Sequence, residues 1–357
     1  QKKVESIYSS WFLDQLSLCW GAFLEGEDGL LKRWSIPDIP QDKQHIPNLD
    51  RFYQNHLKPI LEANPKNKVY VIISDALRYE IAEELKRTIN STFRFKATLD
   101  TQLGVLPSYT ALGMVALLPH QEYSFKQGSD QILVDGLPCA SLEQRNTILS
   151  RFEGTAVRAE DLLAMNKDQG RECVRPHRMI YIYHNQIDST GDTAQTEGKT
   201  FAACRTAIEE LSSLVRFIVN SLNGTNVFVT ADHGFLYQDS PPTPLEKSKL
   251  EIKPENAVKT TKRFLLGKDL GQSPLAWHSN TRITAGTSDD MEFWIPKGAN
   301  RFHFAGGARF IHGGALPQEV LVPVLRVKEL EGKHAKQEAV QQVGVSLLGS
   351  NRKIVNS

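Results

Sequence analysis

Several short segments carry side chains of the types that bind metal ions or act as nucleophiles. Thr230-Ala231-Asp232-His233-Gly234 sets a carboxylate beside an imidazole directly after an apolar run. Both can reach one metal ion if the backbone bends there, as a glycine permits. A capping aspartate next to a surface histidine would explain the same word. Asp188-Ser189-Thr190-Gly191-Asp192 places two carboxylates four residues apart, a spacing suited to a hard cation or to zinc held by oxygen. An Asx-rich turn explains it about as well. Farther on, His312 precedes Gly313 and Gly314, which leave it free of crowding side chains. Residues 106–113 read as a helix start, with Ser108 as N-cap and Thr110 in the first turn. Free N–H groups and the helix dipole favour an anion there, and a hydroxyl at that point can attack phosphorus and hold the phosphoryl group afterwards.

These residues need elements to hold them. The uninterrupted apolar run 69–73 stops abruptly at Ser74-Asp75 and is followed by helical periodicity through Ile89, the pattern of a buried parallel strand feeding a helix. The pattern recurs at 179–183, which runs out toward Asp188, and at 226–230, which runs out into Asp232-His233. A helix over about 201–222 separates these two. Polar residues at successive strand ends predict a doubly wound, largely parallel α/β sheet with helices on both faces and its ligands outside the carboxyl ends. Residues 1–65 read as a helical leader, with Tyr8, Phe12, Leu16, Cys19 and Phe23 on one face. A second helix carries Phe52, His56, Leu57, Ile60 and Leu61, interrupted at Pro59. Residues 239–300 read as an insertion capping the sheet edge, and 331–357 as the start of a truncated C-terminal extension, with 343–348 as a further strand.

Composition bounds the function. The 357 residues hold 42 basic and 41 acidic side chains, so no global field draws the chain to nucleic acid or membrane. Lys259, Lys262 and Arg263, with Lys66 and Lys68, form only a modest basic stripe. Cys19, Cys139, Cys173 and Cys204 lie far apart without a paired spacing, which argues for reduced thiols in a cytoplasmic protein. No apolar run is long enough to span a membrane. The opening residues lack an initiator Met and a signal-peptide pattern, and the chain reads as an excerpt of a longer polypeptide.

The order of the motifs carries more than any one of them. Asp75, then Pro107-Ser108-Tyr109-Thr110, then Asp188 with Asp192, then Asp232-His233-Gly234 and a late His312-Gly313-Gly314 is the order of the alkaline phosphatase superfamily. In detail the words at 73–80, 106–113, 184–192 and 230–234 resemble the PglZ family, a branch associated with BREX bacteriophage-defence systems. The resemblance covers about residues 66–330. It implies two divalent ions, zinc first, with manganese or magnesium as alternatives. One ion falls to Asp75, Asp232 and His233 with the Thr110 hydroxyl, and the other to Asp188, Asp192 and His312. Thr110 is then the nucleophile, with Ser108 two residues away as the alternative. Asp192 departs from the pattern, since phosphodiesterase and mutase relatives usually carry His there. No Cys-x-Pro-x-Arg occurs, which disfavours the sulfatase branch.

The implied activity is hydrolysis of a phosphate ester, a diester or DNA, by an enzyme working beside other BREX proteins. The competing reading is a catalytically weak or inactive phosphatase-like scaffold in a multiprotein defence complex. A mutase acting on a small phosphorylated molecule would need an arginine cluster that the sequence lacks. Arg78 reads as an exposed helix arginine, and Arg301, His303 and Arg309 as candidates to line a substrate groove.

Overall fold

Val69, Tyr70, Val71, Ile72 and Ile73 are completely buried, as a strand covered on both faces must be. They form β1 (Val69–Ser74) of a computed structural model that describes residues 2–35, 46–92, 95–239, 247–248, 254–302 and 309–329. Next in the chain come β2 (Phe95–Leu103), β3 (Gly154–Arg158), β4 (Met179–His184) and β5 (Val227–Thr230). β1 runs parallel to both β4 and β5, with Ser74 opposite His184 and Ile73 opposite Thr230, and β3 runs parallel to β4. Three carboxyl ends therefore finish level with one another, and each is followed by one of the acidic words.

Helices cover the sheet. Thr200–Leu222 buries Ala203, Ala207, Leu211, Leu214, Val215 and Ile218, a single stripe at helical spacing, and ends at Asn223 with φ +56°. Tyr79–Thr92 buries Ile81, Ala82, Leu85 and Ile89 in the same manner.

The region read as an insertion contains a sheet of its own. β6 (Ala257–Thr260), β7 (Leu265–Gly267), β8 (Ala276–Asn280) and β9 (Glu292–Pro296) are all antiparallel, in the order β6-β7-β9-β8. The chain then returns to the main sheet as β10 (Leu321–Glu329), antiparallel to its neighbours β5 and β2, giving β2-β10-β5-β1-β4-β3. The sheet is thus parallel at its centre and mixed toward one edge. The extension beyond 329, the strand expected at 343–348 included, lies outside the described residues.

The leader differs from its reading. Helices Lys2–Ile7 and Leu13–Leu24, joined through a π-helical turn, bury Leu13 and Leu24 instead of the expected face. Phe12 and Phe23 are 43% and 68% exposed, and Cys19 is exposed too. Both stripes are apolar, so periodicity had no basis for choosing between them. Pro59 does not end the helix: the π-helical turn Tyr53–Leu57 runs directly into Lys58–Ala63, and the change from π to α geometry falls beside the proline, whose ring nitrogen can donate no backbone bond. Phe52 and Leu57 are fully buried, and Phe52 meets the Phe228 ring edge-on at 6.2 Å.

Asp50 is a charged group inside this seam. It is 6% exposed, its Oδ1 has no hydrogen-bond partner among the described residues, and Arg51 Nε stands 3.8 Å from its other oxygen. Burial pushes its pKa up to about 6, against an ordinary 3.8. The folded state therefore holds this proton more tightly than the unfolded chain. Stability should fall by about 3 kcal/mol as pH rises from about 4 to 6. Urea midpoints at pH 4 and pH 6.5 should differ more for the wild type than for Asp50→Asn, and equal slopes would refute the assignment.

Candidate metal centre

Asp232 and His233 leave β5 fully buried, and Asp75 leaves β1 at 3% exposure. Nε2 of His233 stands 3.3 Å from Asp232 Oδ2, 3.6 Å from Asp75 Oδ1 and 3.1 Å from the Thr110 hydroxyl. Its Nδ1 lies 2.9 Å from the Gly234 carbonyl oxygen. A carbonyl only accepts, so Nδ1 carries the proton and the Nε2 lone pair faces the carboxylates and the hydroxyl. Gly234 is required here for space: a Cβ would stand 2.2 Å from the Gln318 carbonyl oxygen.

A second group adjoins the first. Asp188 sits on the short helix Ile187–Gly191 after β4, and His312 Nε2 lies 3.8 Å from its Oδ1. Nδ1 of His312 is 3.4 Å from the Ser108 carbonyl oxygen, the same orientation that His233 adopts. The two imidazoles stack at 4.1 Å with planes 2° apart. Ligand atoms of Asp188, His233 and His312 gather within 4.8 Å, as do those of Asp75, Asp232 and His233. Asp192 stands apart from both gatherings. It caps the same helix, is exposed, and faces the same cleft; burial first, and then the Asp192 charge, pushes the Asp188 carboxyl above its ordinary range.

The donor set suits a cation. Asp75 Oδ1, Asp188 Oδ1 and Asp232 Oδ2 are buried without hydrogen-bond partners among the described residues. Burial and mutual repulsion hold the Asp75 carboxyl well above the usual range, and burial pushes Asp232 up to about 7. Burial, then His312, pushes His233 far down, so it stays a neutral donor. Divalent charge is what such a cluster lacks.

Thr110 and Ser108 separate cleanly. Thr110 opens the helix Thr110–Ala116, whose N-cap is Tyr109 and not Ser108 as expected. Ser108 is 1% exposed and its hydroxyl donates to the Gly314 carbonyl at 2.6 Å. Helix and strand end touch closely: a Cβ at Gly113 would lie 2.4 Å from the Asp232 carbonyl oxygen.

Buried polar links hold the site from behind. Arg263, read from sequence as part of a basic stripe, is 1% exposed and forms a two-pronged pair with Glu319 at 3.0 and 2.7 Å. Glu319 also accepts from Gly314 N–H at 2.8 Å, so the loop behind His312 is pinned to the antiparallel lobe. On the other side His184 bridges Ser74 Oγ at 2.9 Å and Glu210 Oε2 at 2.8 Å, while its carbonyl accepts from Asp75 N–H.

Other basic candidates are occupied elsewhere. Arg78 pairs with Glu80 at 2.5 Å over the Phe235 ring and is only 13% exposed, so it is not the free helix arginine expected. Arg301 is buried against Gln238, Arg309 pairs with Asp239, and neither lines the cleft at the metal groups; His303 lies outside the described residues. Lys68 donates to the Val174 and Arg175 carbonyls. The cleft, about 570 Å³, is instead lined by Thr110, Asp188, Asp192 and His312 together with Arg145 and Lys259. Arg145 escaped the sequence reading because Leu142-Glu143-Gln144-Arg145 looks like any solvated helix start.

A parallel-centred α/β sheet with a helix-borne threonine, three strand-end aspartates and two histidines at one edge defines an alkaline phosphatase-like domain. Residues 52–327 match the family model described as the BREX system PglZ alkaline phosphatase-like domain, and the chain belongs to that family. It is 47% identical over 336 residues to the alkaline phosphatase-like protein BrxZ of Escherichia coli O9:H4 (strain HS), covering 94% of this chain and 38% of that one. It is 36% identical over 358 residues to the alkaline phosphatase-like protein PglZ of Bacillus cereus (strain H3081.97), covering 99% and 40%. The chain thus spans about two fifths of the length of these relatives. Among solved structures it is similar to murine ectonucleotide pyrophosphatase/phosphodiesterase 5, with a TM-score of 0.49, 10% identity, and 73% and 88% of the two chains covered. No described helix is long and apolar enough to cross a membrane.

Ions that fill the site should stabilise the fold. At a hundredfold excess over its Kd, one bound ion contributes about 2.7 kcal/mol. Zinc or manganese should therefore raise the melting temperature by several degrees in differential scanning fluorimetry, and a chelator should reverse the rise. Asp232→Asn should lose most of the shift, and an unmoved wild-type melt would contradict the assignment.

Proposed function

We propose that this domain is a two-metal phosphohydrolase acting on phosphodiesters, with DNA as the leading candidate substrate. The observation that carries the reading is the convergence of the Thr110 hydroxyl with His233, Asp232 and Asp75, where Asp75, Asp232 and the adjoining Asp188 each keep a buried oxygen without a hydrogen-bond partner among the described residues. Asp75, Asp232 and His233 with Thr110 would hold one ion. Asp188 and His312 would hold the other, with Asp192 joining from the solvent side. Zinc leads by family resemblance, with manganese or magnesium as alternatives. Divalent ions bound there would polarise a phosphoryl oxygen and ease ionisation of the nucleophile.

The chain supplies the rest. Thr110 is placed at a helix start in contact with the cleft, so its hydroxyl is presented to an incoming ester. The His233 tautomer turns a lone pair toward that hydroxyl. Ser108 is disfavoured as nucleophile because its hydroxyl is spent on Gly314 and buried. Family membership motivates the biological setting, antiviral defence in the cytoplasm beside other BREX proteins. A second reading, a metal-holding scaffold without turnover, draws on Asp192 standing outside both tight groups.

Zinc- or manganese-loaded protein should hydrolyse bis-p-nitrophenyl phosphate and nick supercoiled plasmid. Thr110→Ala should lower kcat by roughly 10³-fold or more. Ser108→Ala should keep kcat within a few-fold while losing about 1 kcal/mol of stability. If Thr110→Ala turned over like the wild type, the nucleophile assignment would fail; a loaded wild type inert toward every ester would favour the scaffold. With DNA as substrate, binding should weaken steeply between about 50 and 200 mM salt.

A further inference from the structure

Arg145 differs from the other cations of the cleft. Lys259 is paired with Asp130 at 2.8 Å. Arg145 pairs with no carboxylate among the described residues. Its Nε donates to the Cys139 carbonyl at 3.0 Å and an Nη to the Ala140 carbonyl at 3.4 Å. Its Cζ lies over the Tyr183 ring, 4.7 Å from the ring centre, on the strand that leads to Asp188. Carbonyls and a ring face hold the guanidinium still without neutralising it. The capping box between Ser141 and Gln144 fixes the helix start from which it projects.

A permanently charged, immobilised guanidinium with no carboxylate partner among the described residues, lining the same cleft as Thr110, Asp188 and His312, is built for a planar or tetrahedral oxyanion. We propose that Arg145 is the anion-recognition residue of this cleft, binding a non-bridging oxygen of the substrate's phosphate group and of the phosphate released. This rests on the phosphohydrolase reading for the identity of the substrate, and its own test does not. The residue acts by binding, so its loss should appear in phosphate affinity and KM before kcat. Arginine gives two parallel donors where lysine gives a point charge, so Arg145→Lys should recover part of the function and not all of it.

The decisive measurement is calorimetric titration of inorganic phosphate into zinc-loaded Thr110→Ala, with and without Arg145→Ala. Loss of a charge-assisted contact should weaken phosphate binding about 10- to 100-fold. Arg145→Lys should fall between the two, with metal content by elemental analysis unchanged in all three. In the otherwise wild-type chain, Arg145→Ala should raise KM for bis-p-nitrophenyl phosphate and relieve inhibition by phosphate by a similar factor. Equal phosphate affinity with and without Arg145 overturns the proposal, even if the wild type is an active hydrolase. Arg145-dependent phosphate binding by a wild type that hydrolyses nothing upholds the proposal and removes the hydrolase reading. Should Arg145→Ala fold poorly, the Arg145→Lys comparison alone decides: affinity unchanged from wild type refutes recognition by the two-pronged guanidinium.

Discussion

Three aspartates gather in two adjoining groups around His233, each with an oxygen that has no hydrogen-bond partner among the described residues, and the architecture is organised around tolerating that. Like charges this close, shut away from water, raise one another's pKa and destabilise the fold unless a cation joins them. The parallel register of β1, β4 and β5 creates the problem by ending three strands level. The same register makes the site useful, because it presents carboxylates from separate strands to a shared volume. His233 and His312 add neutral nitrogen donors, each turned by a backbone carbonyl so that its lone pair faces inward.

Holding such a cluster in place requires rigid surroundings, and the rigidity comes from buried polar links and close backbone contacts. Arg263 and Glu319 are both essentially excluded from solvent, and the pair costs desolvation that its bidentate geometry and the Gly314 N–H offset. Its position explains why the antiparallel lobe matters to the site: this lobe anchors the loop that carries His312. On the far side, Ser74, His184 and Glu210 tie two strand ends to the long helix directly beneath Asp75. Gly113 lets the helix that carries Thr110 rest directly on the Asp232 backbone, which holds the hydroxyl against the strand end.

Much of this was legible beforehand because it is local. The runs at 69–73, 179–183 and 226–230 each state a buried strand, and each is followed within a few residues by its carboxylate. The place of strand β10 in the sheet was not legible, since antiparallel pairing with β2 and β5 is a long-range choice that periodicity does not encode. The leader shows the same limit. Two apolar stripes share one helix, and which is buried depends on what the rest of the chain offers it. Charge was the least readable property: Arg263 and Lys259 look alike in a basic stretch, yet one is sealed in an ion pair and the other borders the cleft.

By itself, then, the sequence determined the strand ends, the acidic words that follow them and their order along the chain, which together specify the family and the candidate metal ligands. Tertiary structure decided what those side chains face. It turned Ser108 away and Thr110 toward His233, left Asp192 at the rim, and buried Arg263. It also delivered Arg145 to the cleft from a helix that nothing in the local sequence marks. The physical reason is that residue type and spacing report local conformation, whereas partnership, burial and electrostatic field are set by groups far apart in the chain and brought together only by packing.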